Sequence, residues 1–161
     1  MRVRLDTVAS MFFKTKSESH DLAVFLGFDE LELKRHQAQT ESSAQSSVFF
    51  DGKEYVPYAA AKKWIDGLDH SKMSFLWVVE YGIWPSRENM HLFYRIRSSY
   101  GEGREINLAP GHLFSDYETA DLITYVDLLL QFGWGAHLLQ ARSFPSIFFS
   151  HDGYAKFFSG A

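Results

Sequence analysis

The chain has 161 residues, no cysteine and a formal net charge of −4. Its length fits one domain, and the lack of cysteine excludes a disulfide framework, a thiolate nucleophile and a cysteine zinc site. No apolar run approaches the roughly 18 residues of a membrane helix, so no membrane association is expected. Asp6, Thr7 and Ser10 interrupt any secretory signal, which predicts a cytoplasmic protein.

Aromatic content and charge set the expectations about partners. Phe, Tyr and Trp number 15, 8 and 4, so the core is aromatic unless part of this set forms an exposed interaction patch. The negative net charge disfavours binding to a phosphate backbone, which needs a basic surface, and fits either solubility or attraction to a basic partner. Nucleic-acid binding is therefore not expected.

We expect residues 1–37 to form an N-terminal helical arm. Between 3 and 13 the apolar residues fit both the helical and the strand period; a helix is favoured, and a strand stays open. A second short helix is predicted over 19–26, stopped by the glycine that follows. Two such helices suggest a helix-turn-helix, but a DNA-reading helix needs basic and amide side chains outside, where the second offers only His20 and Asp21.

The stretch 38–47 is small, polar and without periodicity, which predicts a flexible loop between the arm and a main body at 48–161. Within the body, 48–56 predicts a short strand or hairpin around an Asp-Gly turn pair. A helix then begins at Pro57, where a missing N–H is harmless, and ends near Gly67. Arm, loop and body are expected to form one domain.

Three antiparallel strands are predicted at 75–83, 90–99 and 104–108. A pairing that sets Tyr81 opposite Tyr94 places the apolar residues of all three strands on one face. The other face would present aromatic, arginine and acidic side chains together, a composition typical of interface hot spots. The predicted binding residues are Glu80, Trp84, His91, Phe93, Arg95 and Arg97.

Ser115 and Glu118 form a capping box that predicts a helix running to Phe132 and ending at Gly133. One apolar stripe of this helix would cover the sheet. A second stripe makes the apolar arc wider than a surface helix needs, so we expect it to contact either the arm or a partner subunit. The predicted interface residues of this stripe are Tyr125, Leu128 and Phe132.

Further strands are predicted at 136–141 and 147–149, followed by a last short helix over 150–158. These elements together predict an α+β fold. Its antiparallel sheet would have about 4–6 strands, with helices mainly on one face and the short helical arm at the N-terminus.

The candidate chemistry is sparse. The seven histidines are not spaced for a metal site, so neither a metal nor a cofactor is expected. His112 and Asp116 are close enough in sequence for general acid–base work, and His91 is the other candidate for a histidine–carboxylate site. The acidic residues after His112 also lie in the first turns of a helix, where the dipole favours negative charge, so capping alone explains them.

The leading hypothesis is a non-catalytic protein-binding or regulatory domain, of an immunity-type or homo-oligomeric kind. It would dock a protein partner or a second copy of itself through the aromatic and arginine sheet face. The alternative is a small hydrolase or transferase that uses His112 or His91 with a nearby carboxylate.

Overall fold

The computed structural model describes residues 12–38, 45–48, 57–83 and 90–160. Over these ranges the chain forms one seven-stranded antiparallel sheet and five α-helices. The α+β class and the antiparallel sheet predicted from the sequence are confirmed.

The element bounds follow the chain. The helices are α1 (Lys16–Phe25), α2 (Glu30–Gln37), α3 (Pro57–Asp66), α4 (Met90–Ser99) and α5 (Thr119–Phe132). The strands are β1 (Phe12–Lys14), β2 (Gln45–Val48), β3 (Ser74–Glu80), β4 (Gly111–Phe114), β5 (Gly135–Leu139), β6 (Ser146–Phe149) and β7 (Tyr154–Phe158). Their order across the sheet is β1-β4-β3-β5-β6-β7-β2, so both edge strands come from the N-terminal part of the chain.

The register of the central strands sorts the side chains onto two faces. Leu76 pairs with Leu138, which in turn pairs with Ile147, and all three point to the first face. The alternate residues, such as Phe75 and Leu139, point to the second face. Every residue of β5 is buried, because helices cover this strand on both sides.

The first face carries the larger core. Leu76, Leu138 and Ile147 join one apolar cluster with buried residues of α3, α4 and α5. In α5, Leu122, Val126 and Leu129 repeat at helical spacing, which explains why one stripe of this helix is buried. Three of the five described helices, α3, α4 and α5, therefore contribute to the core on this face.

The second face is covered by the N-terminal helices. Ala23 of α1 and Leu33 of α2 are buried with Phe28 against Phe75 and Leu139. The arm predicted for 1–37 therefore contains an edge strand and two helices that pack on the sheet. The helix favoured for 3–13 is wrong at Phe12 and Phe13, which lie in β1, and residues 1–11 lie outside the described ranges.

Several elements agree with the sequence analysis because a glycine, a proline or a capping residue marks one of their ends. Gly27 has a φ of 98° and ends α1 as predicted, and α3 begins at Pro57. The Glu118 carboxylate accepts hydrogen bonds from the backbone N–H and hydroxyl of Ser115, and Gly133 ends α5 in the left-handed conformation. The strands predicted at 75–83, 136–141 and 147–149 correspond to β3, β5 and β6.

The predicted three-stranded meander is wrong beyond its first strand. Residues 90–99 form α4, and residues 104–108 form turns rather than a strand. The alternation that suggested a strand also contains a helical repeat, in which Met90, Phe93 and Tyr94 pack toward the core. Tyr81 and Tyr94 therefore do not face each other across a strand pair.

Two other local predictions are wrong. The last helix predicted over 150–158 is the strand β7, because Gly153 has a φ of 86° and turns the chain back along β6. The flexible loop predicted for 38–47 contains the start of β2, which pairs with β7. Most of the hairpin expected at 48–56 lies outside the described ranges.

Candidate functional site

The predicted aromatic and arginine residues do not share a surface. His91 and Arg95 are exposed on α4, whereas Phe93 and Arg97 point into the protein and are buried. The four residues lie on different sides of a helix rather than on one side of a strand. The sheet face predicted as the docking surface is therefore wrong.

Arg97 is a fully buried cation that holds the loop before β4. Its Nη1 and Nη2 atoms both donate to the Ala109 carbonyl at 3.1 Å, and Nη2 also donates to the Arg104 carbonyl at 3.1 Å. Its Nη1 lies 2.6 Å from His112 Nε2. The Phe13 ring stacks over the guanidinium, with 4.9 Å between Cζ and the ring centroid. Arg97 thus binds α4 to the irregular segment between α4 and β4, and is not available to a partner.

His112 is neutral and structural. A guanidinium only donates, so His112 Nε2 accepts from Arg97, and Nδ1–H donates to the Pro110 carbonyl at 3.1 Å. Burial, with the charge of Arg97, lowers the pKa of His112 to about 3. Asp116 is exposed and forms no hydrogen bond with His112 within the described chain. The structure does not bring this candidate catalytic pair together.

The second stripe of α5 lies inside the chain's own core. Tyr125 packs edge-on against Phe93, with ring centroids 5.3 Å apart, and against Phe114. Phe132 packs on Trp134, with centroids 5.0 Å apart, and Leu128 is also buried. The stripe of Tyr125, Leu128 and Phe132 is therefore buried in the chain's own core, where α4 and β4 contact Tyr125 and Trp134 contacts Phe132.

An apolar surface is exposed where α1 meets α2. The side chains of Val24 and Phe25, in the last turn of α1, are 53% and 81% exposed, and Leu31, in the first turn of α2, is 59% exposed. The carboxylates of Asp21, Asp29 and Glu30 border these three residues in the sequence and are exposed as well. We call these six residues the α1–α2 surface.

The turn that carries this surface is held firmly. Gly27 adopts a φ of 98°, and a β-carbon there would lie 2.9 Å from the Arg142 β-carbon. The Arg142 backbone N–H donates to the Leu26 carbonyl at 2.8 Å, and its Nη1 donates to the Gly27 carbonyl at 3.3 Å. The segment after β5 therefore fixes the angle at which α1 gives way to α2.

Helices α1 and α2 have the chain layout of a helix-turn-helix, with a short turn that contains glycine. In DNA-binding examples the N-terminal residues of the second helix contact the base edges. Here that position is occupied by Asp29, Glu30 and Leu31. Carboxylates at this point repel phosphates, so the layout does not favour DNA binding.

A buried histidine cluster anchors the end of α2 on the second face of the sheet. His36 stacks on Phe158 with ring centroids 3.6 Å apart, and Gln37 Nε2 donates to His137 Nε2 at 3.0 Å. The Lys156 ammonium donates to the Ala38 carbonyl. Burial lowers the pKa of His36 to about 4, with a further contribution from the Lys156 charge, and lowers the pKa of His137 to about 3.

The structure places a histidine–carboxylate group at a site that the sequence analysis missed. Glu80, at the end of β3, lies with its Oε2 atom 2.7 Å from His151 Nδ1, and Asp152 Oδ1 lies 3.4 Å from His151 Nε2. His151 and Asp152 are in the turn between β6 and β7. Of the predicted binding residues only Glu80 belongs to this group, and Trp84 lies outside the described ranges.

Local geometry brings Glu80 to His151. The register between β3 and β5 shifts between Val78 and Glu80, so Val79 is an extra residue that re-aims the strand end. Glu80 then lies against Gly135, where a β-carbon would be 2.9 Å from the Glu80 β-carbon and would collide with its carboxylate. The bulge and the glycine together allow Glu80 to reach the turn that holds His151.

Neither a metal site nor a membrane span is found in the described ranges. No three His, Asp or Glu side chains among them are placed to hold a metal ion. Glu80 and Asp152 lie at opposite nitrogens of the His151 ring, so these three do not converge on one point. No described helix is both long and apolar enough to cross a bilayer.

Comparison of the chain with protein-family models, with curated proteins and with solved structures gave no match.

Proposed function

We propose that this protein is a non-catalytic protein-binding domain that docks a basic partner on the α1–α2 surface. The observation that carries the proposal is the exposure of Phe25, which is 81% exposed beside Val24 and Leu31. A contiguous exposed apolar patch that is rimmed by polar residues marks an interaction site. Burying such a side chain contributes about 1.5–3 kcal/mol, so three of them can anchor a partner.

The charges around the three apolar residues favour a basic partner. Asp21 and Asp29 flank them in sequence, and the chain as a whole has a net charge of −4, whereas Glu30 is already paired with Lys34, whose Nζ lies 2.7 Å from Glu30 Oε1. Complementary charge speeds encounter and fixes the orientation of the partner. A second copy of the chain would bring the same carboxylates together, so the charges favour a different protein over self-association. The cytoplasm remains the proposed location, from the composition alone.

The test uses a photo-cross-linking amino acid at position 25, with position 117 as the matched control. Tyr117 is 84% exposed, so it matches Phe25 in exposure, but it lies just before α5 and belongs to neither α1 nor α2. A protein captured from position 25 alone is identified, purified and titrated against the wild type and the two variants Phe25→Asp and Tyr117→Asp.

We expect a basic protein whose affinity falls at least about tenfold in Phe25→Asp, which corresponds to about 1.4 kcal/mol. Affinity should change little in Tyr117→Asp and should fall as salt is added, because screening weakens charge attraction. Equal loss in both variants, capture of a second copy of the chain, or preferential binding of DNA would each overturn the proposal.

A further inference from the structure

We infer that the attachment of α2 to the sheet is a pH-sensitive switch, in which protonation of His36 and His137 detaches this helix from the second face. His36 lies in the last turn of α2, and His137 lies in the central strand β5. Both side chains are buried, and their ring centroids are 6.1 Å apart. The inference does not depend on the proposed docking of a partner on the α1–α2 surface.

Helix α2 presents two buried side chains to the rest of the protein, and one of them can take a proton. Among its eight residues the buried ones are Leu33 and His36. Leu33 belongs to the same apolar cluster as Phe75, whereas His36 stacks on Phe158 with ring centroids 3.6 Å apart. A helix of this length is not stable on its own in water, so its place on the sheet depends on these contacts.

Aromatic rings surround the two histidines. His36 also contacts the Phe28 ring, with centroids 6.3 Å apart. The ring centroid of His137 lies 5.0 Å from that of Phe148 and 6.4 Å from that of Trp77. These surroundings favour the neutral imidazole, because burial penalises the charged form.

The charged group that faces the two histidines has the sign of an imidazolium. On β7, Lys156 is buried, and its ammonium donates to the Ala38 carbonyl and lies 5.5 Å from the centroid of the Tyr154 ring. Glu32, one turn before the histidine of α2, is directed to Arg142, with 3.6 Å between Oε2 and Nη2. Within the described ranges no carboxylate pairs with either histidine or with the lysine, so none offsets a positive charge here.

Protonation adds N–H groups that have no acceptor in the attached state. The Nδ1 atoms of His36 and His137 are buried and have no hydrogen-bond partner in the described part of the chain. His137 Nε2 accepts from Gln37, and a proton on this nitrogen turns the acceptor into a second donor. A buried imidazolium without a partner is costly, and the Lys156 ammonium adds repulsion. Acid therefore favours the detached state, in which water solvates both rings.

The direction and size of the response follow from the two protonation states. In the attached state the pKa of His36 is lowered to about 4 and that of His137 to about 3, mainly by burial. In the detached state both histidines have an ordinary pKa of about 6.5, so this state gains protons as the pH falls below that value. Each histidine then raises the equilibrium constant for detachment about 20-fold between pH 7 and pH 5, and the two together raise it about 400-fold.

The test measures amide hydrogen exchange of the whole chain at pH 7 and pH 5, corrected for the effect of pH on the exchange chemistry itself. Protection in α2 reports its detachment, and protection in α5, on the first face, reports opening of the whole fold. We expect protection in α2 to fall about 400-fold between the two pH values and to stay below that of α5 at both. Equal protection of the two helices at pH 5 would show that α2 opens only with the whole fold, which would overturn the inference.

Two variants assign the response to the histidines. His36→Gln and His137→Gln each remove one titrating group, so the fall in protection of α2 should be about 20-fold smaller in each. His20→Gln is the matched control, because His20 is an exposed histidine of α1 outside this cluster, and it should keep the full response. Each variant is compared with itself at the two pH values, so a uniform loss of stability does not affect the result. An unchanged response in His36→Gln or His137→Gln, or an equal reduction in His20→Gln, would contradict the inference.

Discussion

The Glu80 side chain occupies space beside Gly135 that only a glycine at position 135 leaves open. A β-carbon at 135 would lie 2.9 Å from the Glu80 β-carbon and 3.0 Å from its carboxyl carbon. The strand β5 is buried along its whole length, so the backbone at this position has little room to retreat. The placement of Glu80 beside His151 therefore depends on the missing side chain of Gly135.

Gly135→Ala should push the Glu80 carboxylate away from His151. We expect a loss of about 1–3 kcal/mol in the free energy of unfolding, the usual effect of overpacking. Gly103→Ala is the control, because nothing lies within 4 Å of a β-carbon there and its φ is not positive. Urea denaturation of both variants checks the prediction, and equal stability of the two would contradict it.

Arg97→Met should destabilise the protein far more than Arg95→Met. Both residues are on α4, but Arg95 is exposed, whereas Arg97 is fully buried and donates hydrogen bonds to the Ala109 and Arg104 carbonyls and to His112 Nε2. Removing the guanidinium leaves these buried acceptors unpaired, so we expect a loss of about 3 kcal/mol. The exposed substitution should stay within about 0.5 kcal/mol. The measurement is urea denaturation, in which the dependence of the unfolding free energy on urea concentration is also compared between the variants. Losses of unfolding free energy of similar size in the two variants would contradict the structural role of Arg97.

The stability of the fold should fall as the solution is acidified from neutral pH. The pKa of His36 is lowered to about 4, and the pKa values of His112 and His137 to about 3, against 6.5 for ordinary histidine. A lowered pKa in the folded state means that the unfolded chain binds protons first, so the stabilisation is complete above pH 6.5 and is lost as the pH falls toward 4.

Each of these histidines should remove about 2 kcal/mol between pH 7.5 and pH 5. His137→Gln eliminates one of the three groups, so its unfolding free energy should fall by about 2 kcal/mol less than that of the wild type over the same interval. Urea denaturation at the two pH values measures the difference. An identical pH dependence in the variant would show that His137 does not stay neutral in the folded state.

The elements that could be predicted from the sequence are those with clear ends. Gly27, Pro57 and Gly133 each mark a helix boundary through a backbone property that does not depend on distant contacts. The capping box at Ser115 works within one turn for the same reason. These local signals were enough to predict the helices α3 and α5.

The errors came where one pattern fits two periods. Leu92, Tyr94 and Ile96 alternate as in a strand, but the buried positions of α4 include Phe93 and Arg97. A charged residue is almost never fully buried, so Arg97 counted as a surface residue and concealed the helical repeat. The opposite error was made at β7, where aromatic residues at helical spacing predicted a helix and the chain forms a strand.

The candidate sites depend on contacts that no local pattern reveals. Glu80 and His151 are far apart in the sequence and meet only because β3 and the turn after β6 approach the same end of β5. The α1–α2 surface had a detectable signal, since Val24 and Phe25 follow Asp21 on a helix whose buried residues are Ser19 and Ala23. Apolar side chains on the polar side of an amphipathic helix were the clue to that surface.

The two edge strands of the sheet, β1 and β2, are synthesised well before the strands they pair with, β4 and β7. During biosynthesis these early strands leave the ribosome with their hydrogen-bonding groups unmatched, and β2 stays so until β7 has emerged. Contacts between such distant parts of a chain form slowly, and bare strands invite pairing with other molecules. The nascent chain is thus most vulnerable to aggregation before the hairpin of β6 and β7 is complete.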